Sequence, residues 1–226
     1  MIQIAIDGYS GSGKGELSNG LAKKLNLKHL DTGAILRGMG LYFYNIGITE
    51  IDNNVIDEHY SNLNIKIEFD NDRQITYLNG EDVSTKIRQE HIGAMASRVA
   101  AIPRAMKKLI DISQEFASKY DCVLDGRNIT SEVLPDADVK IFLDASPECR
   151  AKRRYNELIA KGIECDYDNI YESLKERDYR DTHREFSKMY IVEDAFVVDN
   201  SNMNIEETIN HCYNHIEKKL KEKGKI

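Results

Sequence analysis

The stretch Gly8-Tyr9-Ser10-Gly11-Ser12-Gly13-Lys14-Gly15 directly follows the apolar run Ile2-Gln3-Ile4-Ala5-Ile6. The run predicts a buried strand, and Leu17, Leu21 and Leu25 recur beyond the glycines at the four-residue spacing of a helix. Glycines between a strand and a helix let backbone N–H groups approach phosphate oxygens without obstruction by Cβ atoms. Lys14 adds a mobile cation for the terminal phosphates. The stretch therefore predicts a phosphate-binding P-loop.

Apolar runs rich in β-forming residues recur along the chain and alternate with helical patterns. These runs are Ile2–Ile6, Lys28–Leu30, Cys122–Leu124, Val139–Leu143 and Phe196–Val198. Pro103 and Pro147 mark plausible first turns of two helices, and a last long helix is expected from about residue 205 to 221. Strands that alternate with helices predict an α/β fold whose sheet is mostly parallel.

One region breaks the alternation, because Ile65–Phe69 and Ile75–Leu78 each alternate at period two around the predicted turn Asp70–Arg73. This pattern predicts a small antiparallel hairpin inserted between helices. We find no repeat and no interdomain linker. The 226 residues are therefore expected to form a single domain, with an insertion at about residues 62–100.

Composition limits the classes of function. The net charge of −7 disfavours general binding to nucleic acid, and no apolar stretch is long enough to span a membrane or to resemble a signal peptide. The four cysteines form no C-x-x-C pair, so neither disulfides nor a cysteine metal site is expected, and a cytoplasmic location follows as the default.

The arginines are unevenly distributed. Six of the twelve lie between residues 150 and 184: Arg150, Arg153, Arg154, Arg177, Arg180 and Arg184. In an acidic protein, a cluster of planar bidentate cations indicates a site for a small polyanion. Salt bridges along an exposed helix are the alternative, and the presence of a P-loop favours the phosphate site.

A P-loop does not define the reaction, since GTPases, ATPases and kinases share it. The absence of an Asn/Thr-Lys-x-Asp guanine motif argues against a GTPase, and Lys14-Gly15 is the variant of nucleoside monophosphate kinases. Further motifs are more specific: Asp31-Thr32-Gly33-Ala34-Ile35, Leu78-Asn79-Gly80-Glu81-Asp82-Val83-Ser84, Ala96-Ser97-Arg98-Val99-Ala100-Ala101-Ile102-Pro103-Arg104, Asp125-Gly126-Arg127, Pro135-Asp136-Ala137 and Arg177-Asp178-x-x-Asp181-x-x-Arg184. In this order, from residue 1 to about residue 200, the chain resembles the bacterial cytidylate kinases.

The resemblance implies transfer of the γ-phosphoryl group from MgATP to CMP or dCMP. It also implies a three-layer αβα P-loop fold with a five-stranded parallel sheet of order 2-3-1-4-5 and an Arg-rich lid at about residues 150–184. The expected partners are these nucleotides alone, without nucleic acid or membrane, and the expected state is a monomer. Mg²⁺ is the expected cofactor, held by Asp125 through water.

The resemblance assigns site residues in three groups. The expected catalytic residues are Lys14, Arg127, Arg150, Arg153, Arg154 and Arg184. The expected ATP-binding residues are Gly8, Tyr9, Ser10, Gly11, Ser12, Gly13, Lys14, Gly15, Glu16, Asn200 and Ser201. The expected CMP-binding residues are Thr32, Arg37, Ser97, Met106, Arg127, Asn128, Arg177, Asp181 and Arg184. Within the last group, Ser97, Arg177 and Asp181 are expected to contact the ribose.

Three positions depart from the family pattern. Glu16 replaces a hydroxyl residue of the P-loop, and we expect it to point to solvent. Asn128 replaces an aspartate that accepts from the cytosine amine, and Met106 replaces an arginine that faces the base. An asparagine can accept from cytosine or, rotated by half a turn, donate to uracil. The sequence therefore predicts intact phosphoryl transfer with altered base discrimination.

Two other functions remain open from the sequence alone. One is a nucleoside monophosphate kinase that prefers another acceptor, such as UMP or a deoxynucleotide. The other is a nucleotide-binding protein without turnover, which Glu16 alone favours. Small-metabolite kinases such as shikimate kinase fit less well, because that function would not account for the hairpin or for the Asp31-Thr32-Gly33-Ala34 segment.

Overall fold

The computed structural model describes residues 1–71 and 73–226 of the chain. In this part the strands are β1 (Gln3–Gly8), β2 (Lys28–Asp31), β3 (Ile65–Asp70), β4 (Arg73–Leu78), β5 (Glu81–Asp82), β6 (Cys122–Gly126), β7 (Val139–Asp144) and β8 (Phe196–Asp199). The helices are α1 (Lys14–Leu25), α2 (Thr32–Asn45), α3 (Asn53–His59), α4 (Glu90–Val99), α5 (Pro103–Ala117), α6 (Pro147–Ala160), α7 (Tyr167–His183) and α8 (Ile205–Glu222).

The larger sheet has five strands in the order β2-β6-β1-β7-β8. Counted along the chain within this sheet, that order is 2-3-1-4-5, as expected from the resemblance. The pairs β1–β6, β1–β7 and β7–β8 are parallel, with Ile6 opposite Asp125 and Ile141. Parallel strands align their carboxyl ends at one edge, and the P-loop leaves that edge directly after β1. The predicted α/β fold is confirmed.

The chain divides into two compact units, Met1–Leu27 with Asp121–Ile226 and Lys28–Tyr120. In the first unit, α1 and α8 pack on the sheet through one apolar cluster. Its members include Ile4, Ile6, Leu17, Leu21, Val123, Ile141, Leu143, Val198, Cys212, Ile216 and Leu220. Removing these side chains from water supplies the main stabilisation of this unit.

In the second unit, α2 packs closely on α4. Gly40 permits this approach, because a Cβ atom there would lie 2.9 Å from the backbone nitrogen of Ala96. The predicted hairpin is confirmed as the antiparallel pair β3–β4, with Ile65 opposite Leu78. A short third strand, β5, extends it. Asp72 of the predicted turn lies outside the described residues.

Among the described residues, none of the helices combines the length and the apolar character needed to cross a lipid bilayer.

Candidate functional site

The P-loop joins β1 to α1 through three glycines with positive φ. These are Gly8 (154°), Gly11 (77°) and Gly13 (92°). A Cβ atom on Gly8 would lie 2.0 Å from the carbonyl oxygen of Leu143, so no larger residue fits. Gly13 is the N-cap of α1 and has no side chain to bond the first N–H groups of that helix. Those N–H groups and the helix dipole therefore form a site for an anion.

Lys14 is the buried cation of this loop, with 6% of its surface exposed. Its Nζ donates to the carbonyl oxygen of Tyr9 at 2.6 Å and to Oγ of Ser12 at 3.4 Å. Burial and the positive charge of Arg127 hold the pKa of Lys14 well below its ordinary value, whereas Asp125 raises it. Arg177 also lowers this pKa. The first unit thus brings several predicted phosphate ligands into one electrostatic cluster.

The remaining predicted ATP-binding residues surround the loop. Tyr9 packs edge-on against Phe142, and Ser10 and Ser12 are buried. Asn200 is buried after β8, and its Nδ2 donates to the carbonyl oxygen of Ser12 at 3.0 Å. This hydrogen bond therefore connects the loop after β8 to the P-loop. Ser201 instead accepts from the backbone nitrogen of Ser146 at 2.8 Å, and Glu16 is exposed on the first turn of α1, next to Gly15.

Arg150 is almost fully buried at 3% exposure and binds three acceptors. Nε donates to the carbonyl oxygen of Ala145 at 2.8 Å, and Nη1 donates to that of Ser10 at 3.0 Å. Nη1 also donates to Oδ2 of Asp178 on α7 at 2.5 Å. Arg150 therefore ties α6 and α7 to the P-loop backbone.

Arg153 makes a similar connection one turn further along α6. Its guanidinium donates to the carbonyl oxygen of Ser12 at 3.3 Å and to both oxygens of Asn200, at 3.0 and 2.8 Å. Arg154 differs, because its Nη1 donates to Oε2 of Glu157 at 2.9 Å on a partly exposed face. The three arginines that were predicted as one catalytic group thus have different surroundings.

Two acidic residues lie at the ends of neighbouring strands. Asp125, near the end of β6, is 7% exposed. Asp7 in β1 is fully buried and accepts from the backbone nitrogens of Ile129 and Thr130 at 2.9 and 2.8 Å, and from Oγ1 of Thr130 at 2.6 Å. Burial raises the pKa of Asp7, and these hydrogen bonds oppose the rise. Asp7 thus fixes the π-helical turn Ile129–Val133 that follows β6.

Among the described residues, no group of three or more His, Cys, Asp or Glu side chains could hold a metal ion by itself. This does not conflict with Mg²⁺, which protein sites usually bind through one or two carboxylates together with substrate phosphates and water. Asp125 offers such a carboxylate close enough to Lys14 to change its pKa. The residues present therefore fit a magnesium ion that arrives with ATP.

Four predicted acceptor ligands lie on α7 or next to it. Nε of Arg127 donates to Oδ2 of Asp181 at 2.9 Å, and both side chains are largely buried. Burial lowers the pKa of Arg184 and the charge of Asp181 opposes this change. Nε of Arg184 donates to the carbonyl oxygen of Ser187 at 2.6 Å. Arg177 lies one turn before Asp181 and is half-buried.

Four other predicted acceptor ligands belong to the second unit. Thr32 is buried at the start of α2, Ser97 is half-buried on α4, and Met106 is 1% exposed on α5. Arg37 donates to Oδ2 of Asp31 at 3.2 Å, and Arg88 donates to the same oxygen at 2.9 Å. Burial raises the pKa of Asp31, but these two arginines hold it below its ordinary value.

Sequence reasoning missed several residues that organise the site: Asp7, Asp31, Arg88, Glu132, Asp178 and Ser187. Asp7 carried a signal, because it is a charged residue at the end of an apolar strand. Asp178 stood within a quoted motif but had no role assigned. Nothing local marked Glu132 or Ser187, since each bonds to the other across more than fifty positions of sequence.

Comparisons with known proteins identify the family. The family model for cytidylate kinase matches residues 4–218. The chain is 44% identical over 208 residues to a cytidylate kinase of Caldicellulosiruptor saccharolyticus, with 92% of each chain covered. It is 41% identical over 217 residues to one of Fusobacterium nucleatum, covering 96% of this chain and 98% of the other.

A solved structure of an uncharacterized protein from Eubacterium ventriosum supports the fold alone. It has a TM-score of 0.51 and 15% identity, with 96% of this chain and 98% of that chain covered. The family match, the sequence relatives and the P-loop geometry lead to one conclusion: this chain belongs to the cytidylate kinase family.

Proposed function

We infer that this protein transfers the γ-phosphoryl group of ATP to CMP or dCMP, with ADP and CDP or dCDP as products. The relatives named above are cytidylate kinases, and their sequences match nearly the whole length of this chain. The structural observation that carries the inference is the buried Lys14 in a P-loop, coupled electrostatically to Arg127, Arg177 and Asp125. Such a cluster suits two phosphate groups that must approach each other despite their like charges.

We propose that the P-loop N–H groups and Lys14 bind the donor phosphates. Arg127 and Arg184 then balance the charge that spreads over the transferring group, which is the main contribution a protein makes to phosphoryl transfer. Arg154 is the arginine of α6 whose described bond, to Glu157, lies on a partly exposed face. It is therefore the best candidate in that helix to reach a nucleotide.

Arg150 and Arg153 act through the loop in this proposal. Both donate to P-loop carbonyl oxygens, at Ser10 and Ser12. Because the two arginines hold these carbonyl oxygens away from the anion, the N–H groups of the loop stay turned toward it. We therefore assign these two arginines a positioning role, within a lid at about residues 150–184 that closes over the phosphates and excludes water.

The acceptor is expected to use Arg37 and Arg127 for its phosphate and Ser97, Arg177 and Asp181 for its ribose. The insertion at about residues 62–100 contributes Ser97 to this set. Asn128 is proposed to face the base, and Met106 is proposed to contribute to base recognition. A carboxylate such as Asp181 is suited to accept from a ribose hydroxyl.

Magnesium would enter with ATP and be held by Asp125, through water. When bound, it neutralises charge on the donor phosphates. We also propose a monomer that works in the cytoplasm on these nucleotides alone, without nucleic acid or membrane. All four cysteines are free in the structure, which suits a reducing compartment. Size-exclusion chromatography with light scattering tests the monomer.

A coupled assay of ADP release with CMP, dCMP, UMP, dUMP and AMP tests the proposed activity. We expect kcat/KM to be highest for CMP or dCMP and turnover to require Mg²⁺. Absence of turnover with every monophosphate would point to a binding protein. A clear lead of UMP or dUMP would show a kinase with another base preference.

A further inference from the structure

Asn128 stands at the centre of a buried network of three polar side chains. It is 3% exposed, and its Nδ2 donates to Oγ of Ser187 at 2.7 Å and to Oε2 of Glu132 at 3.1 Å. The hydroxyl of Ser187 donates to the same oxygen of Glu132. We refer to these side chains as the Asn128–Ser187–Glu132 network.

The chemistry of Glu132 sets the direction of every hydrogen bond in the network. An ionised carboxylate only accepts hydrogen bonds. The single proton of Ser187 is therefore directed to Glu132, so Oγ of Ser187 must accept from Asn128. Both acceptors then face the same end of the Asn128 amide, and that end has to be the NH₂ group.

With both Nδ2 protons engaged, the amide presents Oδ1 on its other side. Oδ1 can only accept. Cytosine and uracil differ at the exocyclic position, where cytosine has an amine that donates and uracil has a carbonyl that accepts. The orientation held by Glu132 matches cytosine and opposes uracil.

We propose that Glu132 determines the preference for cytosine over uracil, acting through the orientation of Asn128. This inference rests on the proposed function, in which Asn128 faces the base of the acceptor. For UMP to bind equally well, the amide would have to rotate by half a turn and place Oδ1 against the carboxylate of Glu132. Ser187 could then donate to Oδ1 only by giving up its hydrogen bond to Glu132. Asn128 is therefore held as a cytosine reader, whereas the sequence alone left both orientations open.

The backbone on both sides of the network is held firmly. Ser187 has a φ of 56° and is 5% exposed, and its carbonyl oxygen accepts from Nε of Arg184 at 2.6 Å. On the other side, Asp7 fixes the N–H groups of the turn that contains Glu132. Asn128 therefore cannot easily move away from its two acceptors.

Glu132→Gln is the discriminating variant. A glutamine amide can either donate or accept, so it can follow Asn128 in both orientations while it keeps the size of the side chain. We expect the ratio of kcat/KM for CMP to that for UMP to fall roughly tenfold, because one hydrogen-bond mismatch no longer penalises uracil. The change should appear in the KM values of the acceptors, while kcat with CMP and the KM for ATP stay constant.

The matched control is Asp136→Asn, because Asp136 is exposed, lies near Glu132 in the chain and takes no part in the network. A double-mutant cycle adds Asn128→Asp. A carboxylate at position 128 accepts on both sides and has no orientation to select. In that background Glu132→Gln should not lower the CMP/UMP ratio, and it should relieve repulsion between two carboxylates.

The inference is supported if Glu132→Gln lowers the ratio in the wild-type background and does not lower it in the Asn128→Asp background. The inference fails if Glu132→Gln lowers the CMP/UMP ratio equally in both backgrounds. It also fails if Glu132→Gln leaves the ratio within about twofold of the wild type while Asn128→Ala changes it. An unchanged ratio in Asn128→Ala would also overturn it, although CMP kinase activity would stand. If the wild type turned over no monophosphate, the proposed activity would fail, and calorimetric affinities for CMP and UMP would still decide the inference. Ser187→Ala, with a smaller expected loss of the same kind, serves if Glu132→Gln does not fold.

Discussion

Nε of Arg127 donates a hydrogen bond of 2.9 Å to Oδ2 of Asp181, which joins the end of β6 to the last turn of α7. The side chains are 18% and 11% exposed, so water screens this ion pair only weakly. In the proposed function, Arg127 binds the acceptor's phosphate and Asp181 its ribose. The ion pair therefore orients two side chains that bind the same nucleotide.

Asp181→Asn tests this arrangement. The amide keeps the shape of the side chain but removes the charge that orients Arg127, and it weakens acceptance from a ribose hydroxyl. A hydrogen bond to a charged group contributes about 1.5–3 kcal/mol, so we expect the KM for CMP to rise about tenfold or more. The KM for ATP should not change. Asp168→Asn, on an exposed position of the same helix, is the control. An unaltered KM for CMP would refute the ribose role.

Two glycines of the P-loop should respond oppositely to alanine. At Gly8 a Cβ atom would lie 2.0 Å from a backbone oxygen, whereas at Gly15 nothing lies within 4 Å. We expect Gly8→Ala to lower the free energy of unfolding by at least about 2 kcal/mol. Gly15→Ala, in the first turn of α1, should leave it unchanged or raise it by up to about 1 kcal/mol. Urea denaturation measures both, and equal losses would contradict the loop geometry.

The pair of Arg150 and Asp178 should show strong coupling. Arg150→Met leaves the carboxylate of Asp178 without its guanidinium in a mostly buried place, and the expected destabilisation is about 3 kcal/mol. Asp178→Leu added to Arg150→Met should recover part of this loss, because it removes the uncompensated charge. Thermal unfolding of the four members of the cycle gives the coupling energy. Additive effects would show that the two residues act independently.

Asp7 should give the stability a distinctive dependence on pH. Burial raises its pKa in the folded state above 3.8, so its contribution to stability is fully present below that value. The contribution is lost as pH rises toward the folded pKa, because ionisation is then favoured in the unfolded chain. Asp7→Asn cannot ionise. The stability of the wild type relative to Asp7→Asn should therefore fall as pH rises from about 3.5 and then level off. Urea denaturation across this range measures it, and a constant difference would contradict the assignment.

The four thiols should separate into two classes. Burial raises the pKa of both Cys122 and Cys212 to about 12, whereas Cys149 and Cys165 are partly exposed. Because the thiolate is the reactive form, a thiol reagent at pH 8 should label Cys149 and Cys165 in the native protein. The other two should react only after denaturation. Mass spectrometry of labelled peptides identifies the sites, and rapid labelling of Cys122 would contradict its burial.

Much of the fold could be predicted from the sequence, because the relevant patterns are local. The five apolar runs became the five strands of the parallel sheet, and the period-two segments around residues 65 and 75 became a hairpin. The strand β5 and the helix α3 were not predicted. Both are short, and their sequences contain few apolar residues.

The candidate site was predictable as a set of residues and only partly as an arrangement. The P-loop motif is local, so its position and its glycines followed from the sequence. That Arg150 and Arg153 would bind carbonyl oxygens of the P-loop did not follow, because 140 and 141 positions separate the partners. The orientation of Asn128 was equally hidden, since it depends on Ser187, 59 positions away.

The central position of β1 also has a consequence for how the chain is made. Residues 3–8 leave the ribosome before residues 122–126 and 139–144, which are their neighbours in the sheet. The nascent protein must therefore carry the apolar strand β1 without its partners until residue 144 has been synthesised. Contacts so distant in sequence slow folding. Until they form, apolar surface that is prone to aggregation stays exposed. Chaperones that shield the first segment should accordingly raise the yield of active enzyme during expression.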